Sequence, residues 1–451
     1  MSNRYLEIPV SNKTSDGKMS FHNGVANLIF QLPAINSTLI PNSVRIMGRI
    51  RYYMDDDKTE ATGVLTSDER LGVYSCFQSL TTRSIRHQQT IENIRHYAHF
   101  LKNFLPLATS TDDAITHWSQ SALQEPNYKL FEDSVVQQDY NTDGRSGAEF
   151  CLPLPCGLFN GTQDIPLSEN MLGGLELVLA LNSDSQVLFS STGKTDTITS
   201  AWYEFDDLKI VCEVRDYQPD ELSRLMKKSS SGFTYQTISS YYDTINSTSA
   251  NVVFNLGLSK VRSVFASFIP SNYLNNYGNN SFATLYPSND DGSIANIRKL
   301  TWTKGGALYP KQFEINTNVR NGDEKTILAD PVVVKDYISA VADFGGNDSL
   351  QVGDVTTNRD VIFVNKTDAG DPANLKNQLQ YTKVANGGFA YGVGIKYDAL
   401  GGSGVAFDNL GSQFGLNMDV DITTNSPNSV FLFVNSEVNV VFNNNGLQVI
   451  Q

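Results

Sequence analysis

Apolar and polar side chains alternate with a period of two along most of this chain, and that constrains its fold more than any other feature. A strand turns successive side chains to opposite faces, whereas a helix needs spacings of three and four. In Ser43–Tyr53, Val44, Ile46, Ile50 and Tyr52 alternate with Arg45, Arg49 and Arg51. Leu175, Leu177, Leu179 and Leu181 share one face, and Leu208, Ile210, Cys212 and Val214 stand opposite Lys209, Glu213 and Arg215. The second half repeats the theme in Val252/Phe254/Leu256, Phe389/Tyr391/Val393/Ile395/Tyr397 and Leu416/Met418/Val420/Ile422. In the last segment Leu432, Val434, Val438 and Val440 are expected inward and Asn435, Glu437 and Asn439 outward. Strands with one wet face belong to antiparallel sheets packed face to face, so the expected class is all-β.

Three segments read as helices. Ile91, Ile94, Ala98, Leu101 and Leu105 recur at helical spacing in Thr90–Leu105, with Pro106 expected to stop the run. Asp330-Pro331 is a cap and first-turn proline for a helix carrying Val334, Tyr337, Ile338 and Val341, ended by Gly345-Gly346. Pro219–Lys228 predicts a short helix running into Ser229-Ser230-Ser231-Gly232, the best linker in the chain. The 451 residues then divide into 1–216, a linker 217–232, and 233–451. Each half holds strands, one amphipathic helix and more strands, and is of a size for an eight-stranded jelly roll. Long Asn/Asp/Gly/Ser loops such as Asn272–Gly292, Ala369–Gly388 and Leu400–Gly411 are expected to carry interactions.

Charge and composition exclude several roles. Lys+Arg 34 against Asp+Glu 48 gives −14, a poor general counterion for nucleic acid. The one basic cluster is Arg83, Arg86, Arg95 and Lys102 with histidines nearby, and it is expected on an inward or inter-subunit surface; Lys227-Lys228 flanks the linker. No run of about 18 apolar residues and no apolar leader occurs, so a soluble product made in the cytosol is expected. Cys76, Cys151, Cys156 and Cys212 are too few for a disulfide scaffold and read as reduced core thiols.

A search for chemistry returns little. All five histidines lie in the first half, so a metal site in each of two rolls cannot be built; His96 and His99, three apart, lack a third ligand. Cys151 and Cys156 have the wrong spacing for a zinc knuckle, and neither a phosphate-binding loop nor a nucleophile elbow is present. Asp55-Asp56-Asp57, Asp206-Asp207 and Asp290-Asp291 sit in polar settings that read as solvated turns or a strand start. No catalytic residue, metal or cofactor is expected, which favours a structural or binding role.

Two stretches carry a resemblance. One runs from Tyr74-Ser75-Cys76-Phe77-Gln78-Ser79-Leu80 through Arg86, His87-Gln88-Gln89 and Ile91-Glu92 to Tyr97-Ala98-His99. The other runs from Leu152-Pro153-Leu154-Pro155-Cys156-Gly157-Leu158-Phe159-Asn160 through Ile165-Pro166-Leu167 to Leu181-Asn182-Ser183-Asp184, with Tyr203–Pro219 as a closing strand. Together they resemble the double jelly-roll major capsid proteins of polinton-like viruses and virophages, and more distantly those of large algal DNA viruses. The resemblance implies two tandem eight-stranded jelly rolls and homotrimers that form pseudo-hexagonal capsomers tiling an icosahedral shell. It further implies minor capsid or penton proteins as partners, little direct nucleic-acid binding and a place in the virion after synthesis in the host cytosol. The competing readings are a viral spike, fibre or lectin-like binding sandwich and, more weakly, a glycan-cleaving enzyme.

Overall fold

The computed structural model describes residues 2–14, 17–22, 27–54, 59–60, 65–68, 71–108, 148–161, 163–190, 198, 200–218, 220–221, 223–224, 232–269, 271–282, 297–312, 315–316, 331–345, 392–397, 404–420, 429–443 and 446–451. Several expectations lie wholly or mostly outside these residues: Lys227-Lys228, Asp55-Asp56-Asp57, Asp290-Asp291 and the loop Ala369–Gly388. Of the short helix expected over Pro219–Lys228, Asp220, Glu221, Ser223 and Arg224 are helical and the rest lies outside.

Eight strands of six residues or more precede residue 217: β1 (Ser2–Pro9), β2 (Asn27–Leu32), β3 (Arg45–Met54), β4 (Phe77–Ser84), β5 (Thr90–Arg95), β6 (Ala148–Pro153), β7 (Leu175–Leu181) and β8 (Ala201–Asp216). They pair in the orders β1-β8-β3-β6 and β2-β7-β4-β5, all antiparallel, which is the double Greek-key strand order of a jelly roll. The second half repeats that order: β9 (Phe233–Thr244), β10 (Ser249–Phe254), β11 (Leu258–Ile269), β12 (Ile297–Lys304), β13 in two pieces (Ala307–Leu308 and Ile315–Asn316), β14 (Gly392–Lys396), β15 (Phe414–Val420) and β16 (Ser429–Asn443). The sheets run β9-β16-β11-β14 and β10-β15-β12-β13, so each strand of the first roll has its counterpart eight labels on. A last strand, β17 (Gly446–Ile450), extends the edge of β16. Helices α1 (Tyr97–Ala108) and α2 (Pro331–Ala342) occupy matching places, after the fifth and before the sixth strand of their rolls. Among the described residues no strand pairing joins 2–216 to 233–450. The chain is thus two antiparallel all-β rolls in series.

The inward row expected of β7 is present, with Leu175, Leu177, Leu179 and Leu181 all buried, whereas one-faced alternation fails at the middle of the second roll. Ser263–Ile269 of β11 and Ser429–Ser436 of β16 are buried on both faces. Val264, Ala266, Val430, Leu432 and Val434 point into the interior of the second roll, while Phe265, Ile269, Phe431 and Phe433 point the other way, into a core continuous with that of the first roll. Asn435, expected outward, is therefore buried; its amide donates to Asp343 Oδ2 at 3.0 Å. The pattern that reads as one-faced in sequence is two-faced because the aromatic residues on the second face meet another domain.

Thr90–Arg95, expected as the first turns of a helix, is strand β5, and the helix starts only after His96, whose φ of 51° turns the chain. The cause is a bulge. Thr82 pairs with Glu92 and Arg83 with Thr90, so Ile91 is skipped and both Ile91 and Ile94 face inward, three residues apart as on a helix. The helix also runs past Pro106 to Ala108. The second helix, by contrast, spans Pro331–Ala342 as its first-turn proline predicts, and Gly345 with φ 132° follows; Asp330 and Gly346 lie outside the described residues.

Candidate functional site

The residues singled out in sequence converge on the seam between the rolls. Glu92, fully buried on β5, accepts hydrogen bonds from the Gly157 and Leu158 amides at 2.9 Å each and from the Thr237 hydroxyl of β9 at 2.7 Å. Burial pushes its carboxyl above the usual range despite those three donors. Tyr235, also on β9, donates to the Ile91 carbonyl at 2.7 Å, and the Ser240 hydroxyl donates to the Arg95 carbonyl. The Leu152–Asn160 segment is pinned from the other side: Tyr74 donates to the Pro153 carbonyl at 2.7 Å and Tyr97 to the Pro155 carbonyl at 2.9 Å. Gly157 has no space for a side chain, because a Cβ there would sit 1.5 Å from the backbone carbonyl oxygen of Gln236.

Helix α1 fills the seam. Phe100 and Phe104 stack with ring centroids 5.4 Å apart and meet Phe344 edge-on at 5.3 and 5.6 Å; Phe100 also reaches Phe265 and Phe433. Asn103 donates to the His99 carbonyl at 2.7 Å and to the Ser267 hydroxyl at 3.3 Å, and its carbonyl accepts from the Tyr337 hydroxyl at 2.6 Å. One amide thus ties α1, β11 and α2 together, and with every group bonded it specifies a single relative placement of the rolls. Asp343, at the end of α2, accepts from Arg262 at 3.0 and 3.2 Å and from Asn435, and pairs with Lys396 at 3.1 Å. Burial acts to raise its pKa, but the Arg262 and Lys396 bonds outweigh it and hold the carboxyl below its ordinary value.

The segment 271–282, part of a loop expected to carry interactions, leans on the first roll of its own chain. Ser183 donates to the Asn275 side chain at 2.7 Å, Tyr277 to the Ala201 carbonyl at 2.9 Å, and Asn280 to Asp68 at 2.7 Å. Phe282 is buried against His99. The Asn-rich composition signals hydrogen bonding here, within the chain rather than to solvent.

The basic cluster does not form a positive patch. Lys102 is buried against Asp68 at 2.6 Å, Arg83 pairs with Glu176 and Arg86 with Glu169, while Arg95 is exposed on β5. Of the acidic pairs, Asp206 pairs with Arg51 at 3.3 Å. His96 and His99 lie 6.2 Å apart and both contact the Phe431 ring, so they serve packing; no cluster of three potential metal ligands occurs among the described residues. All four cysteines are free, and burial raises their thiol pKa values. Sequence reasoning missed Glu92, Asp68 and Asn103 as seam residues. For Asn103 the signal was a polar pair inside the apolar run Phe100–Leu105, which marks a position but names no partner; Glu92 and Asp68 have polar neighbours and carry no such signal.

His99 gives the seam a pH dependence. Its ring stacks on Phe431 with centroids 4.0 Å apart, and burial pushes its pKa down to about 3. The unfolded chain takes up a proton near pH 6.5 that the folded chain refuses until about pH 3, so stability falls as pH drops through that window. The slope is about 1.4 kcal/mol for each pH unit. Thermal unfolding of the wild type and of His99→Phe from about pH 7 to about pH 5 is expected to show the wild type losing this much relative to the variant. Parallel curves for the two proteins would refute the assignment.

No protein-family model and no curated protein matches the chain. Solved structures do match it along its whole length. PBCV-1 VP54, as fitted into a reconstruction of the virophage Sputnik, has a TM-score of 0.55 at 11% identity, covering 100% of this chain and 97% of that one. The Sputnik virophage structure determined by cryo-EM scores 0.51 at 12% identity, with 99% and 88% covered. The Faustovirus major capsid protein scores 0.50 at 8% identity, with 100% and 90% covered. At such identities the likeness is one of fold, and with the repeated strand order it makes this chain a double jelly roll.

Proposed function

We propose that this chain is a viral major capsid protein, three copies of which form a pseudo-hexagonal capsomer of six rolls that tiles an icosahedral shell. The observation that carries the reading is the seam: two rolls of the same strand order are fused through one continuous aromatic core and a set of bonded polar groups. Two domains that needed only to be tethered would show a small polar contact. A shared core makes them one rigid block, which is what a tile requires. The whole-length fold likeness to PBCV-1, Sputnik and Faustovirus proteins supports the same reading. The functional units are then residues 1–216 and 233–451, with 217–232 as the linker. The protein works in the virion, with further copies of itself and with minor capsid or penton proteins as partners. A net charge of −14 fits little direct contact with nucleic acid, and the role calls for no catalysis.

Light scattering on the purified chain, with electron microscopy of material concentrated from it, tests this. The expected result is a species of three times the chain mass and hexagonal outlines. A protein that stays monomeric at every concentration and never co-purifies with particles would overturn the proposal.

A further inference from the structure

We propose that Lys102, Asp68 and Asn280 form a self-processing site, in which Lys102 Nζ attacks the side-chain amide of Asn280 with Asp68 as proton carrier and leaves an isopeptide bond joining the first roll to the second. The bond lies within one chain, so it stands or falls independently of the capsomer reading.

A buried lysine beside a buried aspartate is ordinarily an ion pair and no more. Here a third group shares the carboxylate. Lys102 Nζ, on α1, donates to Asp68 Oδ2 at 2.6 Å, and Asn280 Nδ2, from the 271–282 segment, donates to the same oxygen at 2.7 Å. An amine and an amide from different rolls are thereby brought to one atom. The other carboxylate oxygen, Oδ1, accepts from the Leu71 amide at 3.0 Å, which fixes the direction in which Oδ2 points. The Lys102 and Asp68 side chains are 1% and 0% exposed, so water does not compete for the acyl carbon from their side. Asn280 is half-buried and runs into Ser281 and Phe282, both fully buried. Its Oδ1 accepts from the Phe282 amide at 2.9 Å. That donor is aimed at the oxygen where negative charge develops when a nucleophile adds to Cγ. The end of the segment is held in place in turn: the Ser281 hydroxyl donates to the Tyr273 carbonyl at 2.9 Å, and the Phe282 ring lies against His99 with centroids 4.8 Å apart. Nucleophile, proton acceptor, acyl group and oxyanion donor are therefore assembled in the folded chain, which is where most of the advantage of an intramolecular reaction arises.

The reaction balances without a co-reactant. Asp68 takes a proton from the Lys102 ammonium, and the freed lone pair on Nζ forms a bond to Asn280 Cγ while the carbonyl π pair moves onto Oδ1 beside the Phe282 amide. Asp68 passes its proton to Nδ2, the carbonyl re-forms, and the Cγ–Nδ2 bond breaks with its electron pair staying on nitrogen. Nζ gives up two protons in all, both by way of Asp68: the first makes ammonia the leaving group and the second departs with it as ammonium. The carboxylate is regenerated, nothing is oxidised or reduced, and the chain loses the mass of one ammonia. The product ties α1 to the 271–282 segment across the 217–232 linker. Such a clip lowers the entropy of the unfolded chain as a disulfide does, but no thiol can open it.

Intact-mass spectrometry of the full-length wild-type protein, incubated at neutral pH and then denatured and reduced, tests the bond without any variant. The expected mass is that of the sequence less one ammonia, and proteolysis should release a branched peptide joining residue 102 to residue 280. A protein that keeps its full sequence mass after long incubation overturns the inference. So does a loss of ammonia with residues 102 and 280 recovered in separate peptides, which would mean that an asparagine had cyclised onto its own backbone. Asn280→Ala removes the acyl group at a half-buried position and is expected to restore the full mass. It keeps Lys102 beside Asp68, and is therefore the background in which the two act as an ion pair alone. Asp68→Asn keeps both reactants and removes the proton carrier, so its chain should stay unlinked; a branched 102–280 peptide from that variant would overturn the role given to Asp68. Light scattering of wild type and Asn280→Ala reads the capsomer proposal separately, since a trimer can form with or without the bond.

Discussion

Gly157→Ala is expected to destabilise the protein by about 3 kcal/mol or more and to expose the seam to protease, because the added methyl has no place to go. Its carbon would lie 1.5 Å from the Gln236 carbonyl oxygen and 2.7 Å from the carbon of that carbonyl, both backbone atoms of the second roll. Relief requires β9 to move away from the Leu152–Asn160 segment. That movement would stretch the bonds from Thr237 to Glu92 and from Tyr235 to the Ile91 carbonyl, each 2.7 Å long, and would take one of three donors from a buried carboxyl group. Gly161→Ala is the matched control. A methyl carbon added there would have its nearest neighbours at 3.6 and 3.9 Å, which is ordinary contact, so the unfolding midpoint is expected to stay near wild type. Chemical unfolding of both variants checks the pair of outcomes. A Gly157→Ala protein that unfolds with the wild type would mean that the rolls are not held at this point.

The elements that sequence made legible are those whose environment lies within their own roll. The leucine row of β7 and the first-turn proline of α2 are decided locally, by alternation and by end chemistry, and both stand as expected. What sequence hid depends on the other roll. Phe431 and Phe433 fall on what alternation assigns to the solvent face of β16, and the arrival of α1 covers them; Asn435 on the same face is covered within its own roll, by Asp343 after α2. β5 looked helical because its bulge puts two isoleucines inward at a spacing of three, which period counting cannot separate from a helical turn. Likewise Lys102 reads as part of a basic surface because its acid, Asp68, lies far away in the chain, whereas Arg83, Arg86 and Arg95 are at the surface. The strand-order repeat was invisible for a related reason. A jelly roll is specified by which strands are wet and which are dry, and many unrelated residues satisfy that requirement, so two halves can share a topology without sharing a sequence.

The Lys102–Asp68 pair is expected to produce the other large effect. Lys102 Nζ and Asp68 Oδ2 lie 2.6 Å apart with side-chain exposures of 1% and 0%. Removing one partner leaves a charge that water cannot reach, and Lys102→Met or Asp68→Asn alone should each cost about 3–5 kcal/mol. The combined variant should cost clearly less than the sum, because two neutral side chains remove the desolvation penalty together with the attraction. Urea unfolding of the four proteins in the cycle measures this, and strictly additive losses would show that the pair is not coupled. The cycle also separates stability from placement. Asp68 accepts from the Leu71 amide at 3.0 Å, which fixes the start of a turn in the first roll, and from Asn280 at 2.7 Å, which anchors the 271–282 segment of the second. An ionic group that bonds both rolls at once has few equivalent arrangements, whereas an apolar contact slides at little cost. The combined variant is therefore expected to regain much of its stability and still give fewer closed trimers than wild type, since a ring of six rolls closes only when every seam holds the same angle.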